Sequence, residues 1–246
     1  MVKNRDNIYQ VSQDKIEKFC FDTKVAAVFE DMISRSVPGY TQILNLIPVL
    51  VKEFYIKNGN YYDLGCSLGA GMHAIANGLN QVDPNTCRSI IGIDSSNAML
   101  DQAKQLLNKN EQHLFEFKCE DISNTNIRDA VLVLMNFTLQ FIPLEKRDDL
   151  LKNIYENLLD DGLLIISEKI NFTNPKVQNA LTRIHHQFKF NQGYSELEIS
   201  QKRDAIEDVL IPETLDIHIN RLRNAGFKIV TPWVQNLQFL SILAIK

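Results

Sequence analysis

The chain has no long apolar run, no paired cysteines and no basic excess, and each absence removes a class of function. No stretch approaches the roughly 20 apolar residues needed to span a bilayer. The start M-V-K-N-R-D-N is too polar for a signal peptide, so a cytoplasmic protein with no membrane partner is expected. Cys20, Cys66, Cys87 and Cys119 never fall as C-x-x-C, which indicates neither a disulfide framework nor a zinc site; they read as reduced and mostly packed. Lys and Arg number 26 against 30 Asp and Glu, and the net charge of −4 argues against a broad nucleic-acid footprint. Internal repeats, low-complexity tracts and separating linkers are missing too, leaving a single domain over residues 1–246 with a sizeable core.

What is present centres on Tyr61 to Gly71, Y-Y-D-L-G-C-S-L-G-A-G, which reads as a strand ending at a carboxylate and turning sharply into a helix. Gly65 permits a backbone conformation other residues resist, and Gly69 and Gly71 let the helix start close to a ligand. The spacing G-x-S-x-G departs from the dinucleotide fingerprint G-x-G-x-x-G, because Ser67 and Leu68 place a Cβ where a pyrophosphate must approach. A ligand without phosphates fits better, and S-adenosylmethionine is the candidate; a plain strand-to-helix corner is the alternative.

The remainder alternates between strand and helix patterns. Residues 1–57 read as an arm to about Cys20 and two cover helices: Phe21, Val25, Val28 and Met32 at helical spacing with Asp22 as cap, then, after Pro38-Gly39, a second from Tyr40 to Phe54. Beyond the glycine turn come a helix from Ala70 to Leu79, the D-P-N-T loop, a strand from Ser89 to Asp94, and a helix capped by Ser95 or Ser96. Strands follow at Leu114 to Cys119, Ala130 to Asn136 and Leu163 to Ser167, with a helix from Leu144 to Leu159 before the last. The run A-V-L-V-L-M-N is the most hydrophobic and so central. Residues 171–210 form a helical, mixed-charge insertion. A helix from Pro212 to Asn224 and closing strands at Phe227 to Val230 and Asn236 to Ile245 complete the order. This alternation implies a doubly wound, mostly parallel, seven-stranded Rossmann-like α/β sheet.

In such a sheet the ligand crevice lies at the C-terminal strand ends. There Asp63 and Gly65-Cys66-Ser67 follow the first strand, Asp94 with Ser95 ends the second, Asp121 and Ile122 follow the third, and Asn136 ends the fourth. Asp94 can accept both ribose hydroxyls. Asp121 can accept from an adenine amino group while the Ile122 N–H donates to a ring nitrogen, and Asn136 can reach an amino-acid end. A lone strand-end Asp is otherwise a helix cap or a solvated loop residue.

Y-D-L-G-C-S-L-G, N-F-T-L-Q-F, the stretch F-D-x-x-V-A-x-V-F-x-D-M-I-x-R-S-V-P-G-Y from Phe21 to Tyr40, and N-Q-G-Y-S-E-L-E-I-S-Q-K-R resemble the carboxy-S-adenosyl-L-methionine synthase family, within the class I methyltransferase fold. The similarity runs from Phe21 to the C-terminus; Ser95 stands where Asn is common, Gln192 is extra, and D-D-G replaces P-G-G. The resemblance implies conversion of S-adenosylmethionine and prephenate to carboxy-S-adenosylmethionine and phenylpyruvate, without a metal. It implies a cofactor site including Tyr40, and a homodimer built on the insertion in which Arg203 reaches the neighbouring subunit's site to hold the new carboxylate. It also implies that the product serves a separate enzyme modifying the wobble uridine of tRNA, so that no direct nucleic-acid contact is required. Arg35 and Tyr194 are further candidates for the prephenate side or the pocket wall.

An ordinary methyltransferase acting on a small molecule or RNA, or a non-catalytic binding protein, shares the sheet motifs. His185 and His186, adjacent on a helix, point apart and read as packing and interface residues rather than metal ligands. Lys202, Arg221 and Arg223 read as a solvated face.

Overall fold

The computed structural model describes residues 4–84, 89–107 and 114–246. Cys87 and the second half of the D-P-N-T loop lie outside the described residues. Helix α1 (Thr23–Ser36) begins where Asp22 accepts from the Val25 N–H at 2.9 Å, and Pro38-Gly39 separates it from α2 (Tyr40–Glu53). There follow β1 (Asn60–Leu64), α3 (Ala70–Val82), β2 (Ile90–Asp94), α4 (Asn97–Leu106, capped by Ser96), β3 (Phe115–Cys119) and β4 (Ala130–Asn136). The order continues through α5 (Leu144–Asn157), β5 (Leu158–Asn171), α6 (Pro175–Asn191), α7 (Glu196–Ile206), β6 (Glu213–Thr214), α8 (Leu215–Ala225), β7 (Ile229–Asn236) and β8 (Phe239–Ile245).

The sheet runs β3-β2-β1-β4-β5-β8-β7, so β4 is central as expected, and the two-residue β6 on β5 adds an eighth strand to the expected seven. Strands β1 to β5 pair in parallel, and β8 runs antiparallel to both neighbours. Because side chains alternate along a strand, both faces of this sheet need cover. Tyr62, Leu64, Ile93, Val133, Met135, Leu164 and Ile166 pack toward α5 and α8. Tyr61, Ile90, Leu132, Leu134, Leu163 and Ile165 pack toward α2 and α3. A third cluster joins Tyr9 and Phe19 of the arm to α1, α4 and Ala205 of α7.

Several boundaries differ from expectation. Strand β5 begins at Leu158, not Leu163: Ala130 pairs with Leu158 and Leu132 with Leu163, so residues 159–162 bulge out of a strand that then resumes. Helix α8 starts at Leu215 rather than Pro212 because Thr214 accepts from the Ile217 N–H, leaving Glu213–Thr214 extended against β5. The closing strands start two and three residues later than expected, the first of them runs six residues further, to Asn236, and β7 carries Pro232, which an edge strand tolerates. The described cysteines correct the expectation of packing: Cys66 is buried, but Cys20 and Cys119 are exposed. No helix among the described residues is long and apolar enough to cross a membrane.

Candidate active site

The turn after β1 is built by two close approaches. Gly65 has φ +78°, and a Cβ there would lie 2.4 Å from Thr138 Cγ2, so the loop after β4 rests on the glycine. At Gly71 a Cβ would fall 2.4 Å from Asp63 Oδ2, so α3 can start directly over the strand-end carboxylate, which accepts from the Met72 N–H. Asp94 ties the second strand to this turn, its Oδ2 accepting from the Ser67 N–H at 2.9 Å and its Oδ1 from the Ser96 N–H at 2.8 Å. The Gly65 and Cys66 N–H groups both donate to the Ile93 carbonyl.

Phe29, Ile33, Tyr40, Asp63, Gly65, Cys66, Ser67, Gly71 and Asn136 line one cavity at these strand ends. The structure thus brings together the predicted residues of β1, β4 and the pre-sheet helices, with Asp94 bonded to the same turn through Ser67. Phe29 and Ile33 are lining residues that sequence reasoning misses; their i, i+4 spacing within α1 is the available signal. Asn136 Oδ1 is buried without a hydrogen-bond partner, an acceptor suited to an ammonium or amide donor of a ligand. Acceptors at Asp63, Asp94 and Asn136 around a phosphate-free turn match the donor groups of S-adenosylmethionine.

Burial, and then the charge of Asp94, push the Asp63 carboxyl up to about 7, with the Met72 N–H opposing. Asp94 is itself raised by burial, against the Ser96 and Ser67 N–H groups. Because Asp63 ionises near 3.8 when unfolded and about 7 when folded, the folded chain binds more protons in between. Its contribution is therefore complete at low pH and lost as pH rises through the folded value. Relative to Asp63→Asn, the wild type should lose unfolding free energy from about pH 4 to about pH 8. Denaturant unfolding at both pH values measures this, and a pH-independent difference would show Asp63 to be ionised in the fold.

Other predicted residues stand apart from the cavity. Asp121 is exposed; it accepts from the Ser123 N–H, which with Lys146 holds its carboxyl below the usual range, while Ile122 beside it is buried. Ser95 is exposed, its carbonyl accepting from Cys119 Sγ. Arg203 lies on the outer face of α7, 54% exposed and bonded to Asp204.

Arg35 and Tyr194 belong to a buried polar cluster. The guanidinium stacks 3.8 Å over the Tyr194 ring and pairs with Asp31, while the Tyr194 hydroxyl donates to Asp6 of the arm at 2.5 Å. His185 packs as expected: its Nε2 donates to the Ser36 carbonyl at 2.8 Å, and its ring meets Phe239 edge-on. The expectation of a solvated face at Lys202 and Arg221 is corrected. Lys202 is 12% exposed and paired with Asp6, and Arg221 is 11% exposed and held by Glu213 and Asp148; only Arg223 is exposed.

A family model described as a methyltransferase domain matches residues 62–164, from β1 into β5. A putative S-adenosyl-L-methionine-dependent methyltransferase from Methanococcus maripaludis superposes with a TM-score of 0.58 at 20% identity, over 95% of this chain and 96% of that one. Fold and strand-end site together define a class I methyltransferase-type protein. At full length the chain is 44% identical to the carboxy-S-adenosyl-L-methionine synthase of Hahella chejuensis, covering 100% of both, and 45% identical to that of Shewanella oneidensis, again covering 100% of both. The chain belongs to the carboxy-S-adenosyl-L-methionine synthase family and is a transferase.

Proposed function

We propose that this chain makes carboxy-S-adenosylmethionine from S-adenosylmethionine and prephenate, in the cytoplasm, to supply a separate enzyme that modifies the wobble uridine of tRNA. The observation that carries the reading is that Phe29, Ile33 and Tyr40, from helices outside the matched methyltransferase domain, wall the same cavity as Asp63, Ser67 and Asn136. In this reading Asp94 holds the ribose hydroxyls, Asp121 and Ile122 the adenine, and Asn136 and Asp63 the amino-acid end. The Gly65-Cys66-Ser67 backbone, with Ser95 at the rim, shapes the floor. Tyr40 stands over the sulfonium.

The chemistry needs no strong base from the protein. Prephenate loses carbon dioxide and hydroxide as its ring aromatises to phenylpyruvate; the hydroxide takes one proton from the sulfonium methyl, leaving water, and the carbanion adds to the carbon dioxide. The chain's task is then to orient both substrates and exclude water.

The new carboxylate calls for a fixed guanidinium. The outward position of Arg203, whose one side-chain partner among the described residues is Asp204, suits delivery into a neighbouring subunit's site in a homodimer. Arg203→Ala should reduce the preference for carboxylated over plain cofactor by about 10- to 150-fold, the value of one charge-assisted contact of about 1.5 to 3 kcal/mol. Competition binding measures this, and an unchanged preference removes Arg203 from the site. The reading as a whole is tested by mass spectrometry of the nucleoside products with and without prephenate. Carboxylated product only with prephenate is expected; methyl transfer to an acceptor, or no turnover, overturns it.

A further inference from the structure

Beyond the Tyr40 end of the cavity, cations from three elements converge without enough carboxylates to balance them. Lys169 lies near the end of β5, opposite Phe239 of β8. Lys189 lies on α6 and is 8% exposed. Lys202 and Arg203 follow on α7, each answered by its own carboxylate, Asp6 and Asp204. Among the described residues, neither Lys169 nor Lys189 has a carboxylate within ion-pair distance. Burial, then Lys202, Lys169 and Arg203, bring the Lys189 ammonium down to about 7. Burial and then Lys189 bring His185 down to about 3, with Lys169 adding to the effect.

A second observation lies next to Lys169. The turn between β7 and β8 carries Gln238, whose carbonyl accepts from the Ile170 N–H at 2.7 Å and whose side chain is 1% exposed. Neither its amide oxygen nor its nitrogen has a partner. Unpaired buried ammonium and amide groups cost folding free energy and call for a ligand that answers them. Their place relative to the cavity is set by a row of rings. His185 meets Phe239 at 5.0 Å, Phe239 meets Phe137 at 6.0 Å, and Phe137 lies 6.2 Å from Tyr40.

We propose that Lys169 and Lys189, with the Gln238 amide, form the subsite for the 2-oxo-acid carboxylate of the anionic co-substrate, reached from the Tyr40 end of the cavity along the row of rings. The inference rests on the proposed function for the identity of that co-substrate. It is directional. A carboxylate held by two ammonium groups is stabilised as a carboxylate and resists losing carbon dioxide, so the lysines hold the carboxylate that survives in phenylpyruvate. The ring carboxylate, which leaves, is then free to face the cavity, where a water-poor wall of Phe29, Ile33 and Tyr40 favours its release. Lys202 and Arg203 add long-range attraction.

Phenylpyruvate, which retains the anchored group and does not react, is the probe. Calorimetric titration into cofactor-loaded protein should show phenylpyruvate binding at least about 10-fold weaker in Lys189→Met and in Lys169→Met. S-Adenosylmethionine affinity should change less than about twofold, and Lys189→Arg should keep most of the binding. The melting temperature of Lys189→Met should equal or exceed that of the wild type, since a cation facing cations is removed; a merely structural lysine would lower it. In turnover the KM for prephenate should rise with kcat less affected. Equal phenylpyruvate affinity in the wild type and both methionine variants, or no binding by the wild type, overturns the subsite. If the wild type binds phenylpyruvate and the variants do not, yet no carboxylated product forms, the proposed function fails and the subsite stands. If carboxylated product forms with an unchanged KM in both variants, the subsite fails and the proposed function stands.

Discussion

Asp94→Ala is expected to weaken S-adenosylmethionine binding by more than about 100-fold, since the proposed function gives this charged acceptor two hydrogen bonds from ribose hydroxyls, at about 1.5 to 3 kcal/mol each. The loss has a second source. Asp94 also accepts from the Ser67 and Ser96 N–H groups, so alanine unties the glycine turn from α4 and leaves both donors to water or to each other's loops. Asp94→Asn keeps the volume but can accept through one atom only, and its amide would present N–H groups to a backbone N–H; it should fall nearer to alanine than to the wild type. Removing the Asp94 charge also relieves Asp63, whose carboxyl should ionise at lower pH in the variant. Calorimetry with a parallel melting curve checks both, and an affinity within about threefold of the wild type in a folded variant would place the ribose elsewhere.

Arg147→Ala is expected to cost about 3 to 5 kcal/mol, the usual result of breaking a buried, fully bonded charge. The side chain is 0% exposed. Its Nε donates to the Ile142 carbonyl, its Nη2 to those of Gln140 and Ile211, and its Nη1 to Glu213. It therefore fastens the loop after β4 to the segment entering β6. For a chain of this length each kcal/mol lowers the melting temperature by about 2 to 4 °C, so a fall of about 6 to 20 °C is expected. Cofactor affinity should drop as well, because the same loop carries Thr138, which rests on Gly65. A loss below about 1 kcal/mol in denaturant unfolding would mean that Arg221, which also holds Glu213, suffices alone.

The strands and their polar ends were legible because a sheet covered on both faces needs uninterrupted apolar runs, and because Asp22 and Ser96 cap helices by a local rule. Local rules also explain the misreadings. D-D-G at Asp160 to Gly162 reads as a turn, and Asp161 does take φ +62°, but pairing with β4 resumes after it and the strand is continuous. Pro212 reads as a helix start, whereas Thr214 performs the capping two residues later. The pairing of Arg35 with Tyr194 and Asp6, and the approach of Lys169 to Lys189, have no sequence signature because the groups come from distant elements with no shared period. In S-Q-K-R the family pattern points to Arg203, the outward residue, while Gln201 and Lys202 turn inward.

Those two residues fix the arm. Gln201 donates to the Tyr9 and Val11 carbonyls and accepts from the Gln13 N–H, Tyr194 and Lys202 hold Asp6, and the Phe19 N–H donates to the Ala205 carbonyl. The side-chain links to Gln201 and Tyr194 span 188 to 192 positions. At a synthesis rate of about 5 to 20 residues per second, the arm waits about 10 to 40 s for its partners to be made. During that interval Tyr9 and Phe19 have no finished cluster to enter, and they are surface that a chaperone can hold. The arm leaves the ribosome well before its partners and is thus among the last segments to be secured, and its docking marks a chain translated at least through α7.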